Sequence, residues 1–457
     1  MTAVTVYTRR AKRGTKNSNA GLFNFMASSP DVDQTTSVTA DIRMPGRIRM
    51  ILVLGALVAL GPLTIDMYLP ALPKIADELS VSSSVSQLTL TGTLAGLALG
   101  QLIVGPLSDS LGRRRPLIAG IVLHMVASVL CVLAPDITIL GLARGLQGMG
   151  AAAASVVAIA VVGDLYSGTV AATVMSRLML VLGVAPVLAP SLGAAVLLHG
   201  SWHWVFVALV VVAGALLAMA ALALPETLPV SHRRPLAVAG IIGTYAELLR
   251  DARFVILVLV AALGMSGLFA YISAAPFVLQ GHYGLDQQAF ALVFAAGAIS
   301  LIGATQFNVV LLRRFSPQAI TMAALSWSVL AGAVFVVLTV AHVGGLAAFV
   351  VPVLAILAGM GLVLPNAPAV ALSRHPDAAG TAAALLGAAQ FGLGAAVAPA
   401  IGALGNGALA LSWVMTAGMA IALVALLLVG RRNAEADPGE YSGDSLDVVP
   451  EAVVEPA

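Results

Sequence analysis

Charge is what this sequence most lacks. Asp, Glu, Lys and Arg together make up 10% of the 457 residues, against about 25% in a typical soluble domain. With 60% hydrophobic residues, the chain does not read as a soluble enzyme with a large core. It reads as an integral membrane protein. The net charge is only +2, so no basic surface points to nucleic acid. Cysteine is nearly missing: Cys131 stands alone, which excludes an intrachain disulfide, and its apolar neighbours suit a small buried hydrophobe. There is no HExxH, no GxSxG and no pair of carboxylates inside the apolar runs. A metal triad or a nucleophile–base pair, as an intramembrane enzyme requires, is therefore not expected, and neither is a cofactor. His199 and His203 are four apart, but they fall at a loop without a third ligand.

What is present is a succession of long apolar runs. Lengths that cross a ~30 Å hydrocarbon core as helices occur at roughly 51–71, 84–107, 115–134, 137–163, 173–198, 203–224, 254–278, 287–312, 318–340, 343–371, 378–403 and 407–430. Twelve spans predict an all-α membrane protein. Residues 1–48 are polar and basic and lack hydrophobic periodicity, as expected of a disordered cytoplasmic tail. Met1, Met26 and Met44 remain open as the start, and the first apolar run is too long for a secretory signal. The longest break, 225–253, reads as a linker between a six-helix bundle at 49–224 and another at 254–430. Residues 431–457 are acidic and read as a second disordered tail.

Lys and Arg set the orientation. Of the 23, all but Lys74 and Arg144 fall on the side that twelve spans assign to both termini. Both termini and the linker are thus expected to be cytoplasmic. Four local matches repeat in order between the halves: Pro70 with Pro276, LGRRRP (111–116) with LLRRFSP (311–317), Gly148-Met149-Gly150 with Gly359-Met360-Gly361, and Ala189-Pro190 with Ala398-Pro399. They predict two parallel six-helix halves.

Asp66 breaks the first apolar run. A carboxylate there costs about 2.5–3.5 kcal/mol even on the lenient insertion scale. It lies about 22 Å from the cytoplasmic end of its span at 1.5 Å per residue. Arg144 lies roughly 10 Å from the outer end of the fourth span on the same count. The two charges deepest in the bilayer are thus expected at similar depth, facing one cavity. Either they form a structural salt bridge that lets both survive, or Asp66 is a protonatable acid that binds a proton or a cationic substrate in turn, with Arg144 tuning it. The matching positions of the second half fall near Ile272 and Ala355, which confines proton chemistry to the first half.

Between spans two and three, Gly105, Asp109, Gly112, Arg113 and Arg114 suggest a tight cytoplasmic turn. Asp109 is expected to accept bonds from a helix N-terminus of the other half as a latch; a plain positive-inside turn would explain the arginines alone. In span five, Pro186 and Pro190 kink a helix whose small residues, with Gly183 and Gly193 at its ends, allow close contact. Gly92, Gly96 and Gly100 repeat that device in span two. Polar or aromatic residues within spans are Tyr68, Gln87, Gln101, His124, Gln147, Tyr271, Gln306, Asn308, Asn366 and Gln390. Some must face an interior, because lipid rejects them; Tyr68, Gln147, Tyr271, Asn366 and Gln390 are the expected substrate-cavity set.

These motifs carry a resemblance. GPLSDSLGRRR (105–115) resembles the cytoplasmic loop signature of major facilitator transporters. RGLQGMGAAAASVVAIAVVGDLY (144–166) is similar to their proton-coupling fourth span, and GVAPVLAPSLGAAV (183–196) to the fifth-span signature of drug antiporters. TIDMYLPALPKIADEL, LFAYISAAPFVLQ and GLVLPNAPAVAL resemble the Bcr/CflA branch of multidrug:proton antiporters. The resemblance covers roughly 50–430. It implies the major facilitator fold in an inner membrane, a monomer, and proton-driven export of small lipophilic or cationic compounds. It makes Asp66 the proton and substrate carboxylate, Arg144 the coupling arginine, and Asp109 with Arg113 the gating loop. The position after Asp109, usually basic, is Ser110 here, and the second-half loop QFNVVLLRRFSP lacks the Gly and Asp. A proton-coupled transporter of one metabolite, importing or exporting, is the alternative on the same fold.

Overall fold

The computed structural model describes residues 47–198, 200–233, 238–375, 378–405 and 407–436, which form helices and turns without a strand. The helices are α1 (Arg47–Asp66), α2 (Leu72–Glu78), α3 (Ser83–Leu111), α4 (Arg114–Val132), α5 (Ile137–Leu165), α6 (Gly168–Leu197), α7 (His203–Ala223), α8 (Val238–Arg250), α9 (Ala252–Pro276), α10 (Gln287–Leu311), α11 (Pro317–Val340), α12 (Gly345–Leu372), α13 (Ala379–Ala403) and α14 (Ala408–Ala436). Twelve helical stretches among the described residues are long and apolar enough to cross a membrane. They coincide with the twelve expected runs, except that the first, second and seventh end later, at Glu78, Leu111 and His282. Polar residues at those ends hid the continuing helix from hydropathy. Most of the two tails, and with them Met1, Met26 and Met44, lies outside the described residues, as does His199. Residues 431–436, expected in a disordered tail, continue α14 as helix. The 225–253 linker contains a helix of its own, α8, whose Tyr245 hydroxyl donates to the Leu102 carbonyl of α3 at 3.2 Å.

Proline sets the two most irregular spans. Pro70 has no N–H, and its ring clashes with the carbonyl four residues back, that of Asp66. There α1 stops; the chain tightens into a 3₁₀ turn at Leu69–Ala71 and restarts as α2. Pro276 likewise ends α9, which passes into a π-helical turn at Phe277–His282. Its clashing carbonyl belongs to Ile272, the position matched to Asp66 in the repeat. Ser82, Asp136, Asp251, Asp286 and Ser316 cap their helices by accepting bonds from backbone N–H groups one turn on.

The first six spans pack mainly among themselves, through α3 with α5, α4 with α5 and α7, and α1 with α6 and α5. The last six do the same through α11 with α12 and α14, α10 with α12, and α9 with α12, α13 and α14. The halves meet along α3–α13 and α6–α10. Lipid offers no hydrophobic drive between helices, so close backbone approach supplies the contact. One such case is α3 on α5, where a side chain at Gly96 would strike the Gly145 carbonyl. Large apolar side chains such as Leu222, Leu292 and Val211 remain exposed along the spans, as a lipid-facing surface requires.

Candidate functional site: a buried acid beside a polar ring

Asp66 is the last residue of α1 and is 3% exposed. Its Oδ1 has no hydrogen-bond partner. Its expected counter-charge is engaged elsewhere: among the described residues, no carboxylate lies within 4.0 Å of the Arg144 guanidinium. Arg144 donates from Nη2 to the Thr64 carbonyl at 2.9 Å and from Nη1 to Gln147 Oε1 at 2.5 Å. Its guanidinium sits 4.1 Å from the centre of the Tyr68 ring and 5.7 Å from that of Phe206. The helix end explains the choice. The last four carbonyls of α1 have no intrahelical partner, Thr64 carries one of them, and a cation at a helix C-terminus is favoured. Arg144 therefore caps α1, and the structural salt bridge is not formed.

The contacts continue. Gln147 donates from Nε2 to Ser128 Oγ at 2.7 Å. Ser128 Oγ lies 3.5 Å from His124 Nδ1, and His124 Nε2 lies 2.9 Å from Thr64 Oγ1. Contacts that start at the Thr64 carbonyl thus return to the Thr64 hydroxyl, closing a ring across α1, α4 and α5. Arg144, Gln147, His124, Ser128 and Thr64 are all buried. Thr64 and Ser128 carried no signal in the sequence, because hydroxyls in apolar helices ordinarily bond their own backbone carbonyls.

Three bonds join the halves at the end of the molecule opposite the arginine-rich loops. Gln87 Nε2 donates to the Ser273 carbonyl at 3.0 Å, Ser84 Oγ to the Gly402 carbonyl at 2.9 Å, and Gln280 Nε2 to the Pro70 carbonyl at 3.5 Å. The expected cavity residues are engaged in packing. The Tyr68 hydroxyl is 2.7 Å from Thr89 Oγ1. Tyr271 stacks on Phe294 at 5.2 Å. Asn366 donates to Asn308 Oδ1 at 2.7 Å and to the Leu362 carbonyl at 2.8 Å. Gln390 is half-buried. A cavity of about 240 Å³ is lined by Val196, Trp204, Val207 and Ala208, and one of about 10 Å³ by α9, α11, α12 and α14 residues; neither touches this set or Asp66. Asp66 and Arg144, expected to share a cavity, are both buried.

The arginine-rich loop departs from expectation twice. Gly105 sits inside α3 with open space around it, and only Gly112, at φ +89°, turns the chain. Asp109 bonds within its own half: Arg113 Nη1 reaches its Oδ1 at 2.5 Å. The same guanidinium donates from Nε and Nη2 to Asp164 at 2.8 and 3.1 Å, and from Nη1 to Ser108 Oγ at 2.9 Å. Burial works against the Arg113 charge, but these carboxylates outweigh it and hold its pKa above the ordinary arginine value. Glu226, just beyond α7, accepts from the backbone N–H groups of Arg113 and Arg114 at 2.8 and 3.3 Å, capping α4. Asp164 and Glu226 were not among the expected loop residues; each is distant in sequence and ordinary at a helix end. In α6, Pro190 is buried and Pro186 half-buried. Gly193 lies against the carbonyl of Met67, the residue after Asp66, and Gly183 faces Ile302 of α10.

A family model described as the Major Facilitator Superfamily matches residues 52–399. An uncharacterized MFS-type transporter of Bacillus subtilis, YdgK, is 38% identical over 78% of this chain and 89% of its own length. A bicyclomycin resistance protein homolog of Haemophilus influenzae is 30% identical over 76% of this chain and 86% of itself. A chloramphenicol resistance protein of Pseudomonas aeruginosa is 33% identical over 78% and 83%. Among solved structures, the human organic anion transporter MFSD10 (TETRAN) aligns with a TM-score of 0.63 at 18% identity, over 84% of this chain and 100% of that one, which shows a shared fold. Twelve membrane-crossing helices, halves that meet along two helix pairs and a family match across both halves lead to one assignment: this multi-pass membrane protein belongs to the Major Facilitator Superfamily.

Proposed function

We propose that the protein exports small lipophilic or cationic drugs in exchange for protons, by alternating access of two six-helix bundles (49–224 and 254–430) joined by the 225–253 linker. The observation that carries this reading is Asp66, a carboxyl group buried at a break in the first span with an oxygen that no protein group satisfies. An ionised carboxylate so placed is costly without a partner. A proton or a cationic substrate meets the need, and one excludes the other. The names of the relatives, resistance to bicyclomycin and to chloramphenicol, favour export of drugs over import of a nutrient.

On this reading Arg144 is the coupling arginine, and both termini with the arginine-rich loops face the cytoplasm. Gly105, Asp109, Gly112, Arg113 and Arg114 form the gate there, with the Asp109 latch to the other half made in the alternate state. The bonds of Gln87, Ser84 and Gln280 close the outer face over Asp66. Gly183, Pro186, Pro190 and Gly193 let α6 slide against α1 and α10. Tyr68, Gln147, Tyr271, Asn366 and Gln390 meet the substrate when the halves part. The transporter works as a monomer.

The test uses inverted membrane vesicles holding a proton gradient. Addition of chloramphenicol or ethidium should partly collapse the gradient with the native chain, and not with Asp66→Asn at equal protein level. Drug-dependent proton flux that survives in Asp66→Asn would remove the acid from the mechanism.

A further inference from the structure

Pro106 lies inside α3 and has no N–H. In an α-helix that N–H would bond the carbonyl four residues back, here that of Leu102. The proline ring also crowds the same carbonyl. Leu102 has thus lost its ordinary donor, and the linker supplies another: the Tyr245 hydroxyl of α8 donates to the Leu102 carbonyl at 3.2 Å.

The two partners belong to different halves. α8 packs against α9 and α13 of the second half. It leads into α9 through Asp251, whose carboxylate caps α9 and also accepts from Arg374 and lies 3.0 Å from His375 Nε2, just beyond α12. α8 is therefore seated on the second half, whereas Leu102 is in the first. Leu102 stands fifteen residues after Gln87 on α3, about 22 Å along the axis at 1.5 Å per residue. α3 is thus held to the second half at two levels, near its start by Ser84 and Gln87 and nearer its arginine-rich end by Tyr245. Gln101, beside Leu102, lies against Gly387 of α13, so the halves also touch at this lower level.

We propose that Tyr245 is the inner tie between the halves: a hydroxyl carried by the linker helix replaces the donor that Pro106 removes from α3, and α3 leaves α8 only by giving up that bond. This deepens the reading of two bundles that rock against each other, and rests on it.

A carbonyl freed by proline suits such a tie. In a helix without the proline the same oxygen would already have a donor, so an outside hydroxyl would add little. The worth of the bond therefore depends on Pro106 as much as on Tyr245. The second half contains the same solution in a fixed setting. Pro365 in α12 removes the donor of the Gly361 carbonyl, and the Thr305 hydroxyl of α10 lies 2.8 Å from it, sharing its hydrogen with the Leu301 carbonyl at 3.0 Å. There both helices belong to one half, and the bond is internal packing. Tyr245 makes its bond across the seam, where partners separate when bundles rock.

Spin labels at Leu111→Cys, the end of α3, and Ala252→Cys, the start of α9, report the distance between the halves at this level; both positions are exposed. They are placed in the purified full chain in lipid, with Cys131→Ala removing the one native thiol. Pulsed electron spin resonance reads the ratio of parted to tied molecules, with no drug present. Tyr245→Phe keeps the ring and loses the donor, and should raise that ratio roughly 2- to 12-fold, the effect of one hydrogen bond. Pro106→Ala returns an N–H to Leu102 from α3 itself. Adding Tyr245→Phe in that background should change the ratio by less than about 2-fold. An unmoved ratio in Tyr245→Phe overturns the proposal. So does an equal change in both backgrounds, which would report that the side chain packs there without serving the freed carbonyl. A ratio that shifts as expected while drug-driven proton flux survives in Asp66→Asn would remove the acid from transport and leave the tie standing. An unmoved ratio with flux lost in Asp66→Asn would do the reverse.

Discussion

The Arg144 guanidinium lies over the ring of Tyr68, 4.1 Å from its centre, and the Tyr68 hydroxyl is tied to Thr89 Oγ1 at 2.7 Å. A cation in lipid is thus held by an aromatic face, a carbonyl and an amide, with no acid. Face and hydroxyl make separable contributions. Tyr68→Phe keeps the face and should cost about 1 kcal/mol for the lost bond, with drug-driven proton flux retained. Tyr68→Leu removes the face as well, worth roughly 0.5–2 kcal/mol more in a desolvated site, and should lower both the melting temperature and the flux. Equal behaviour of the two variants would show that the ring face holds nothing.

The two loop glycines should respond in opposite ways. Gly105→Ala adds a methyl to a helix interior with nothing within 4 Å, and should stabilise by roughly 0.5–1 kcal/mol. Gly112→Ala forces an ordinary residue to φ +89° and pushes a methyl into the Glu226 carboxylate and Arg233. It should destabilise by at least about 1–2 kcal/mol and loosen the cap on α4. Thermal unfolding of the purified variants distinguishes the two; a destabilising Gly105→Ala would restore the tight turn that the sequence suggested.

Asp251 should make the second half sensitive to acid. Burial raises its pKa, but the backbone N–H of Phe254, the side chains of Arg374 and His375, and the backbone N–H of Arg253 together outweigh burial and hold it below the ordinary 3.8. A depressed carboxylate contributes stability above its unfolded value and loses it as pH falls through the folded value. The native chain should therefore lose a step of stability below about pH 4. Asp251→Asn should lack that step and melt lower at neutral pH, since the cap on α9 and the bonds to Arg374 and His375 at 3.1 and 3.0 Å are weakened. Melting curves from pH 7 down to pH 3 provide the check.

Much of this protein is legible in its sequence. Lipid admits few structures other than long apolar helices, so twelve runs of apolar sequence became twelve spanning helices almost residue for residue. Pro70 and Pro276 could be matched as repeats, and each lies at a break in its span, α1 stopping four residues before Pro70 and α9 only at Pro276. Asp66 stood out because a carboxylate in such a run is expensive wherever its side chain points. Less could be read from residues whose role depends on what lies opposite. Gly105 and Gly112 look alike in the loop, yet one is helical and one turns the chain. His124 was visible as a polar residue, but not as the member that closes a ring with Thr64 and Ser128.

The amino-acid order alone determined which stretches form the long apolar helices and where along its helix each charge falls, because hydropathy and helix rise measure position along an axis. Only the tertiary structure decided which groups meet. Partner choice depends on the rotation of each helix about its axis and on where a helix ends, and those were set by glycine contacts such as Gly96 on Gly145 and by the stop that Pro70 imposes on α1. That is why two charges expected at one depth are not paired, and why Arg144 instead serves the unsatisfied carbonyl of Thr64.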